Sequence, residues 1–311
     1  MPKVFFATDL HGSEMCWRKF LNAGRFYDAE ILICCGDMTG KALIPIVQEN
    51  GHYTFQLGAE RQQIEAAQVP DVEAQIRRKG YYPLQMSLER LHELDADPVK
   101  RAECFQQVML DGVDRWMGMA AEKLRGTGIR VFVCPGNDDE MEVDDVIRRS
   151  DFVELGEGRL VEIGEFTMIS TGWSNHTPWN THREETEEQL GERIEAMAKQ
   201  VPDVSKAIFN LHCPPFKSGL DEAPAIDADL KLLHGGRALR PVGSTAVREA
   251  IERHQPLISL HGHIHESKGA VKIGKTLSIN PGSSYEEGML MGAIVQLDPK
   301  KGIKSYQLVN G

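Results

Sequence analysis

The chain has 311 residues, of which 26% are charged and 41% hydrophobic; that is long enough for one large domain or two modest ones with a substantial core, and far from the composition of a disordered chain. A formal net charge of −11 argues against binding nucleic acid through a basic face, and no apolar stretch approaches the roughly 20 residues that span a bilayer. The start "MPKVFFATD" lacks a signal peptide's long apolar region, so the reading is a cytoplasmic protein with no membrane association.

In chain order, the apolar run of "KVFFATDLHG" predicts a strand ending in Asp and His, and a helical pattern follows over 13–24. "EILICCGDMTG" predicts a second strand of the same kind. The segment from about 41 to 125 is longer than one crossover requires and reads as a largely helical insertion. It begins with a hairpin in "LIPIVQENGHYTFQL" around Asn50-Gly51, a favoured type I′ pair. Helical patterns follow at 71–79, 87–95 and 98–124, with Pro98 suited to a first turn and Gly126 and Gly128 to the stop. "IRVFVCPGNDDE" is the third polar-ended strand, followed by a helix at 141–149. "KAIFNLHCPPF" and "PLISLHGHIHES" are the fourth and fifth, separated by a shorter excursion at about 214–247 and a helix for which Ser244 is the N-cap. The tail predicts hairpins turning at Gly274 and around 299–302. Strands alternating with helices imply a layered α/β protein, and the terminal hairpins imply antiparallel members in its sheets. Six cysteines (Cys16, Cys34, Cys35, Cys104, Cys134 and Cys213) form no CxxC pair, and three of them sit in or beside apolar runs, as reduced thiols do.

The five strand ends together supply Asp9, His11, Asp37, Asn137, His212, His263 and His265. Each alone is ordinary turn or loop chemistry. Seven oxygen and imidazole donors at five strand ends form a pattern, and its donors suit Mn²⁺, Fe²⁺ or Zn²⁺ better than a thiolate-selecting metal. In "DLH" and "HIH" the ligands stand at i and i+2, on one side of an extended segment. Asp37 can bridge two cations with its two oxygens.

The ordered set "DLH" (9–11), "GD" (36–37), "GND" (136–138), His212 and "GHIH" (262–265) resembles the calcineurin-like metallophosphoesterases across residues 9 to 265. The resemblance implies a single domain over 1–311, a four-layer α-β-β-α sandwich of two mixed β-sheets, in the α/β (α+β) class. It also implies two divalent metal ions, Mn²⁺ foremost, one held by Asp9, His11, Asp37 and His265 and the other by Asp37, Asn137, His212 and His263. The implied activity is hydrolysis of a phosphodiester or activated phosphomonoester, with a metal-bridging hydroxide as nucleophile and a small phosphorylated molecule as substrate. Relatives often carry His after the Asn, as proton donor to the leaving oxygen. Here Asp138 stands in that place, and nearby cations favour its carboxylate over the acid form, which makes it a poor donor. Alternatively Asp138, Asp139 and Glu140 are first-turn acids of the next helix.

His176 and His182, in the loop "STGWSNHTPWNTHREETEEQL", are candidates for substrate contact or proton delivery, the alternative being solvent-facing loop residues. Thr181-x-x-Glu184 reads as a capping box. Asn280 and Ser283 are candidates for orienting ligands from behind. "GDMTG" and "GNDD" differ from the motifs of protein Ser/Thr phosphatases. A non-catalytic metal-binding scaffold on the same fold is the rival reading, and the long insertion suits either a substrate lid or a homo-oligomer contact.

Overall fold

The run Val4-Phe5-Phe6-Ala7 shows how the layers arise. Its side chains alternate between two cores, Val4 and Phe6 in one and Phe5 and Ala7 in the other, because successive residues of a strand face opposite sides. Ile31 and Ile33 alternate with Leu32 and Cys34 in the same way. A strand buried on both faces needs layers on both sides.

The protein, described over residues 1–227 and 229–311 by a computed structural model, supplies them. One six-stranded sheet runs in the spatial order 302–310, 291–298, 3–7, 31–35, 130–134, 153–155. The other runs 269–273, 276–280, 258–260, 207–211, 166–171, 160–163. Both are mixed: strands 3–7, 31–35, 130–134 and 153–155 are parallel, as are 166–171, 207–211, 258–260 and 276–280, while the remaining strands pair antiparallel.

Seven helices accompany the sheets among the described residues: α1 (Glu14–Phe26), α2 (Val69–Arg78), α3 (Leu88–Ala96), α4 (Pro98–Leu124), α5 (Val143–Arg148), α6 (Glu187–Ala198) and α7 (Thr245–His254). α1, α4 and α5 cover the outer face of the first sheet through Trp17, Phe20, Trp116, Met117 and Val146. α6 and α7 cover the second through Leu190, Ile194, Val247 and Ile251. The inner faces meet through Phe6, Phe132, Phe166, Met168 and Leu260. This is the four-layer α-β-β-α sandwich. Its five ligand-bearing strands lie in the two parallel blocks, and their carboxyl ends come together at one rim.

The insertion after Asp37 is largely helical, through α2, α3 and α4, and it adds strands that the sequence did not announce. It holds a four-stranded sheet, ordered 61–64, 52–56, 43–49, 82–87, with the expected hairpin at Asn50-Gly51. α2 packs on one face through Val72 and Ile76 against Ile46 and Phe55, and α3 on the other through Leu94 against Val47 and Met86. "RQQI" has no apolar alternation and "YPLQMS" carries a proline, which an edge strand tolerates; neither announces a strand. α4 begins at Pro98 on the N-cap Asp97. Its second half is core, since Val113, Trp116, Met117, Ala120 and Leu124 are all buried against the first sheet's helical layer.

Trp116 stacks on Trp17 with ring centroids 5.0 Å apart. Trp116→Ala is expected to cost about 3–5 kcal/mol, whereas Val99→Ala, exposed near the start of the same helix, should stay within about 0.5 kcal/mol. Denaturant midpoints of the two variants check the contrast.

Candidate metal centre

Three of the five strands that lead to candidate ligands end in strained turns. Asp9, His11, Asp37 and His263 have φ of 53°, 42°, 27° and 66°, a left-handed backbone that non-glycine residues adopt at a cost of order 1–3 kcal/mol each. Glycines make room between them. A Cβ on Gly36 would run into the His212 ring, and one on Gly136 would run into Asp37. Gly136 is therefore required for close approach, and its φ is not in the left-handed range.

The side chains converge in two groups. In one, His11 Nε2 lies 3.1 Å from His265 Nε2, and His265 Nε2 lies 3.4 Å from Asp9 Oδ1. In the other, His212 Nε2 lies 3.0 Å from Asn137 Oδ1 and 3.5 Å from Asp37 Oδ1, and the His212 and His263 rings meet edge-on with centroids 5.2 Å apart. Asp37 belongs to both: its Oδ1 faces His212 and its Oδ2 lies 3.7 Å from His11 Nε2. Asp9, His11 and His265 could hold one ion and Asp37, His212 and His263 another, each set offering donor atoms within 4.8 Å of one another. The seven residues singled out in the sequence are thus brought together.

Whether cations fit here is answered by the donors' state. Nε2 of His11 and Nε2 of His265 face each other at 3.1 Å, and Nε2 of His212 faces the oxygens of Asn137 and Asp37 at 3.0 and 3.5 Å. Buried polar atoms normally find partners. A positive charge between them is what this donor set accepts. The protonation equilibria agree. Burial works against the Asp9 carboxylate, but the hydrogen bond and charge of His265 outweigh it and hold Asp9 at about 2. Burial likewise works against an imidazolium at His212, yet Asp37 outweighs it and lifts His212 to about 10. Asp37 is held well below the usual carboxylate range, burial being outweighed by His212 and His11. Burial pulls His11 and His263 down to about 4.

Behind the ligands lies a supporting set. Asn137 Nδ2 donates to Thr181 Oγ1 (2.7 Å), leaving Oδ1 aimed at His212. Thr181 Oγ1 donates to Glu184 Oε1 (2.6 Å), which also accepts from Thr177 Oγ1. Thr181 thus orients a ligand. The helix after it is capped instead by Thr186 with Gln189, a capping box placed five residues later than the sequence suggests. Asp139 is not a first-turn acid either: its carboxylate accepts from the backbone N–H groups of Met38, Thr39 and Gly136, stapling two ligand loops together. Arg183, fully buried, donates to the carbonyls of Asp139 and Glu140 and to Asp144. Ser283 Oγ donates to the Asp9 carbonyl, and Asn280 Nδ2 to the carbonyls of Gly262 and Ile264 on either side of His263.

The remaining candidates lie at the rim. Asp138 Oδ2 is 3.9 Å from His11 Nδ1 and forms an ion pair with Lys41. His182 is exposed and lines a cavity of about 190 Å³ beside Asp138. His176 is exposed, with Nδ1 3.6 Å from Glu184. Trp173 stacks on Arg193 rather than standing free, while Trp179 is exposed. Sequence reasoning passed over Lys41, Arg183 and Tyr285, whose ring centroid lies 4.6 Å from that of His11. Lys41 was detectable only as the first cation after "GDMTG".

No family model matches the chain. Over 156 residues it is 33% identical to the uncharacterized protein MJ1162 of Methanocaldococcus jannaschii, a match that spans 49% of this chain and 64% of that protein's length. One crystal structure superposes over 99% of both chains with a TM-score of 0.58 at 17% identity. The crystal structure of TT1561 of Thermus thermophilus superposes over 100% of this chain and 98% of its own, with a TM-score of 0.52 at 12% identity. These likenesses show a shared fold. Asp138 follows Asn137 in the chain, and α4 faces it across the cavity through Phe105 and Met109.

Two outcomes follow from this geometry. Thr181→Val removes the acceptor that holds the Asn137 amide and should weaken divalent-metal affinity about 10–100-fold, with Thr181→Ser close to wild type, as read by competition with a chelating dye. Metal entry must displace the proton that His212 carries at neutral pH, so affinity should rise with pH. Calorimetry at pH 7 in buffers of different ionisation enthalpy should show net release of at least about one proton per chain.

Proposed function

We propose that the chain is a two-metal-dependent phosphoric-ester hydrolase acting on a phosphodiester or an activated phosphomonoester. The observation that carries this reading is Asp37, whose two oxygens face two separate groups of ligands. When bound, a pair of divalent cations would activate water and neutralise the phosphoryl oxygens. The donor set of carboxylate, imidazole and amide oxygen suits Mn²⁺ first, then Fe²⁺ or Zn²⁺.

Charge supports an anionic substrate despite an acidic chain. Two divalent cations bring +4 and the Asp9 and Asp37 carboxylates −2, so the centre is locally positive by about two charges. The residues of the chain then divide the work. Asn137, its amide fixed by Thr181, presents an oxygen to the cation and orients the phosphoryl group. His182, at the cavity rim, contacts the substrate's other half. His176 pairs with Glu184 and is the second candidate for proton delivery. Asp138 is tied to Lys41 at the cavity rim.

A non-catalytic scaffold would keep the metals and lose the chemistry, so loading and turnover are measured together. Purified protein should carry close to two transition-metal equivalents by mass spectrometry and hydrolyse bis(4-nitrophenyl) phosphate. Asp37→Ala should lose both. Loading without turnover on phosphomonoesters, diesters, cyclic nucleotides or nucleotide anhydrides would favour the scaffold.

A further inference from the structure

One feature at the rim has no place in the metal chemistry. Lys41 stands four residues after the bridging Asp37, where the chain leaves the sandwich for the small four-stranded sheet, and its ammonium reaches back onto Asp138 Oδ2. That same oxygen is 3.9 Å from Nδ1 of the ligand His11. The Lys41 side chain is 60% exposed, so its charge is open to a ligand as well as to Asp138. Beside the pair lies the cavity of about 190 Å³, walled by Phe105 and Met109 of α4, by Asp138 and Glu140 of the ligand turn, and by His182. Glu140 is held in place there by Gln106 Nε2 at 2.6 Å.

We propose that this cavity seats the alcohol half of the ester, and that Lys41 faces the oxygen by which the alcohol departs. The inference rests on the ester-hydrolase reading and adds the substrate's second half to it. In the reaction the P–O bond to the alcohol breaks as a new P–O bond forms to the oxygen of water. The electron pair stays on the departing oxygen, and the proton lost by water ends on the alcohol. Negative charge therefore grows at the departing oxygen, and a fixed cation there stabilises the transition state more than the bound ester. Asp138 tethers that cation.

The cavity also selects. Lys41 offsets only one of its two carboxylates, Asp138 and Glu140, so its side chains carry a net negative charge and disfavour an alcohol bearing a second phosphate. Phe105 and Met109 offer an apolar wall. The alcohol that fits is uncharged or cationic, with an apolar face and hydroxyl or amine groups toward the acids.

The test is a series of esters with leaving groups of rising pKa, from 4-nitrophenyl to alkyl, measured on metal-loaded wild type, Lys41→Gln and Lys41→Arg with metal content checked in each. Lys41→Gln should lose about 10²-fold in kcat on alkyl esters and less than about threefold on nitrophenyl esters, whose oxygen leaves with little help; Lys41→Arg should recover most of the loss. Inhibition by inorganic phosphate should be unchanged. An equal loss across the series, a rise in the phosphate inhibition constant with it, or no loss on alkyl esters overturns the role of Lys41. A wild type that holds two metals and cleaves no ester overturns the hydrolase reading itself. For the cavity, Phe105→Trp should lower kcat/KM for bulky alkyl esters while leaving the methyl ester within about twofold; a uniform effect would place the alcohol elsewhere.

Discussion

Two buried carboxylates organise this molecule. Asp9 is fully buried and Asp37 nearly so, and an ionised carboxylate removed from water is costly unless paired and hydrogen-bonded. Some compensation is built in. Thr8 Oγ1 and the backbone N–H of His263 donate to Asp9, and the backbone N–H of Asp138 donates to Asp37. The rest must come from positive charge, and the histidines that surround the pair either become imidazolium or give way to a cation. The chain has folded around a charge deficit.

That deficit can be maintained only by a rigid surround. Four ligand residues sit in left-handed backbone, and such strain persists where neighbouring structure over-determines it. Here the surround is explicit: Asp139 ties the 38–39 loop to Gly136, and Arg183 ties the following turn to α5 through Asp144. These groups lie behind the candidate ligands and hold their loops in place. Because the clamp bonds mostly to backbone, it fixes where the strand ends lie irrespective of the side chains they carry.

Much of this was legible in the sequence, for physical reasons that also mark where reading fails. The five polar-ended strands are short apolar runs buried on both faces, and their signal is local; so are the Asn50-Gly51 turn, Pro98 and Ser244. The seven candidate ligands stand out because chemically suitable residues recur at the same position of successive strands, and the fold brings them together. The supporting residues did not. Arg183 sits in "THREETEEQ", where a buried clamp and a solvated charge look alike, and Thr181 satisfies a local capping pattern while its hydroxyl serves Asn137, 44 positions away. A capping box is only a spacing, and Thr186 with Gln189 meets it equally well. α4 illustrates the same limit: periodicity gives its length, but only the Trp17–Trp116 stack shows that half of it is core.

The placement of α4 has a consequence for specificity. Its second half is locked into the first sheet's outer layer, while its first half, through Phe105 and Met109, walls the cavity beside the ligand turn. Tyr82, in the edge strand of the small sheet, packs edge-on against Phe105, and its hydroxyl accepts from the backbone N–H of Gly40, next to Lys41. The small sheet, α4 and the Lys41 loop are therefore one mechanical unit pressed against the rim. Changes in that unit would reshape the cavity wall without moving a strand end, since the strand ends are held by the sandwich and the clamps of Asp139 and Arg183. The residues proposed to hold the metals and those proposed to face the substrate therefore belong to different parts of the fold.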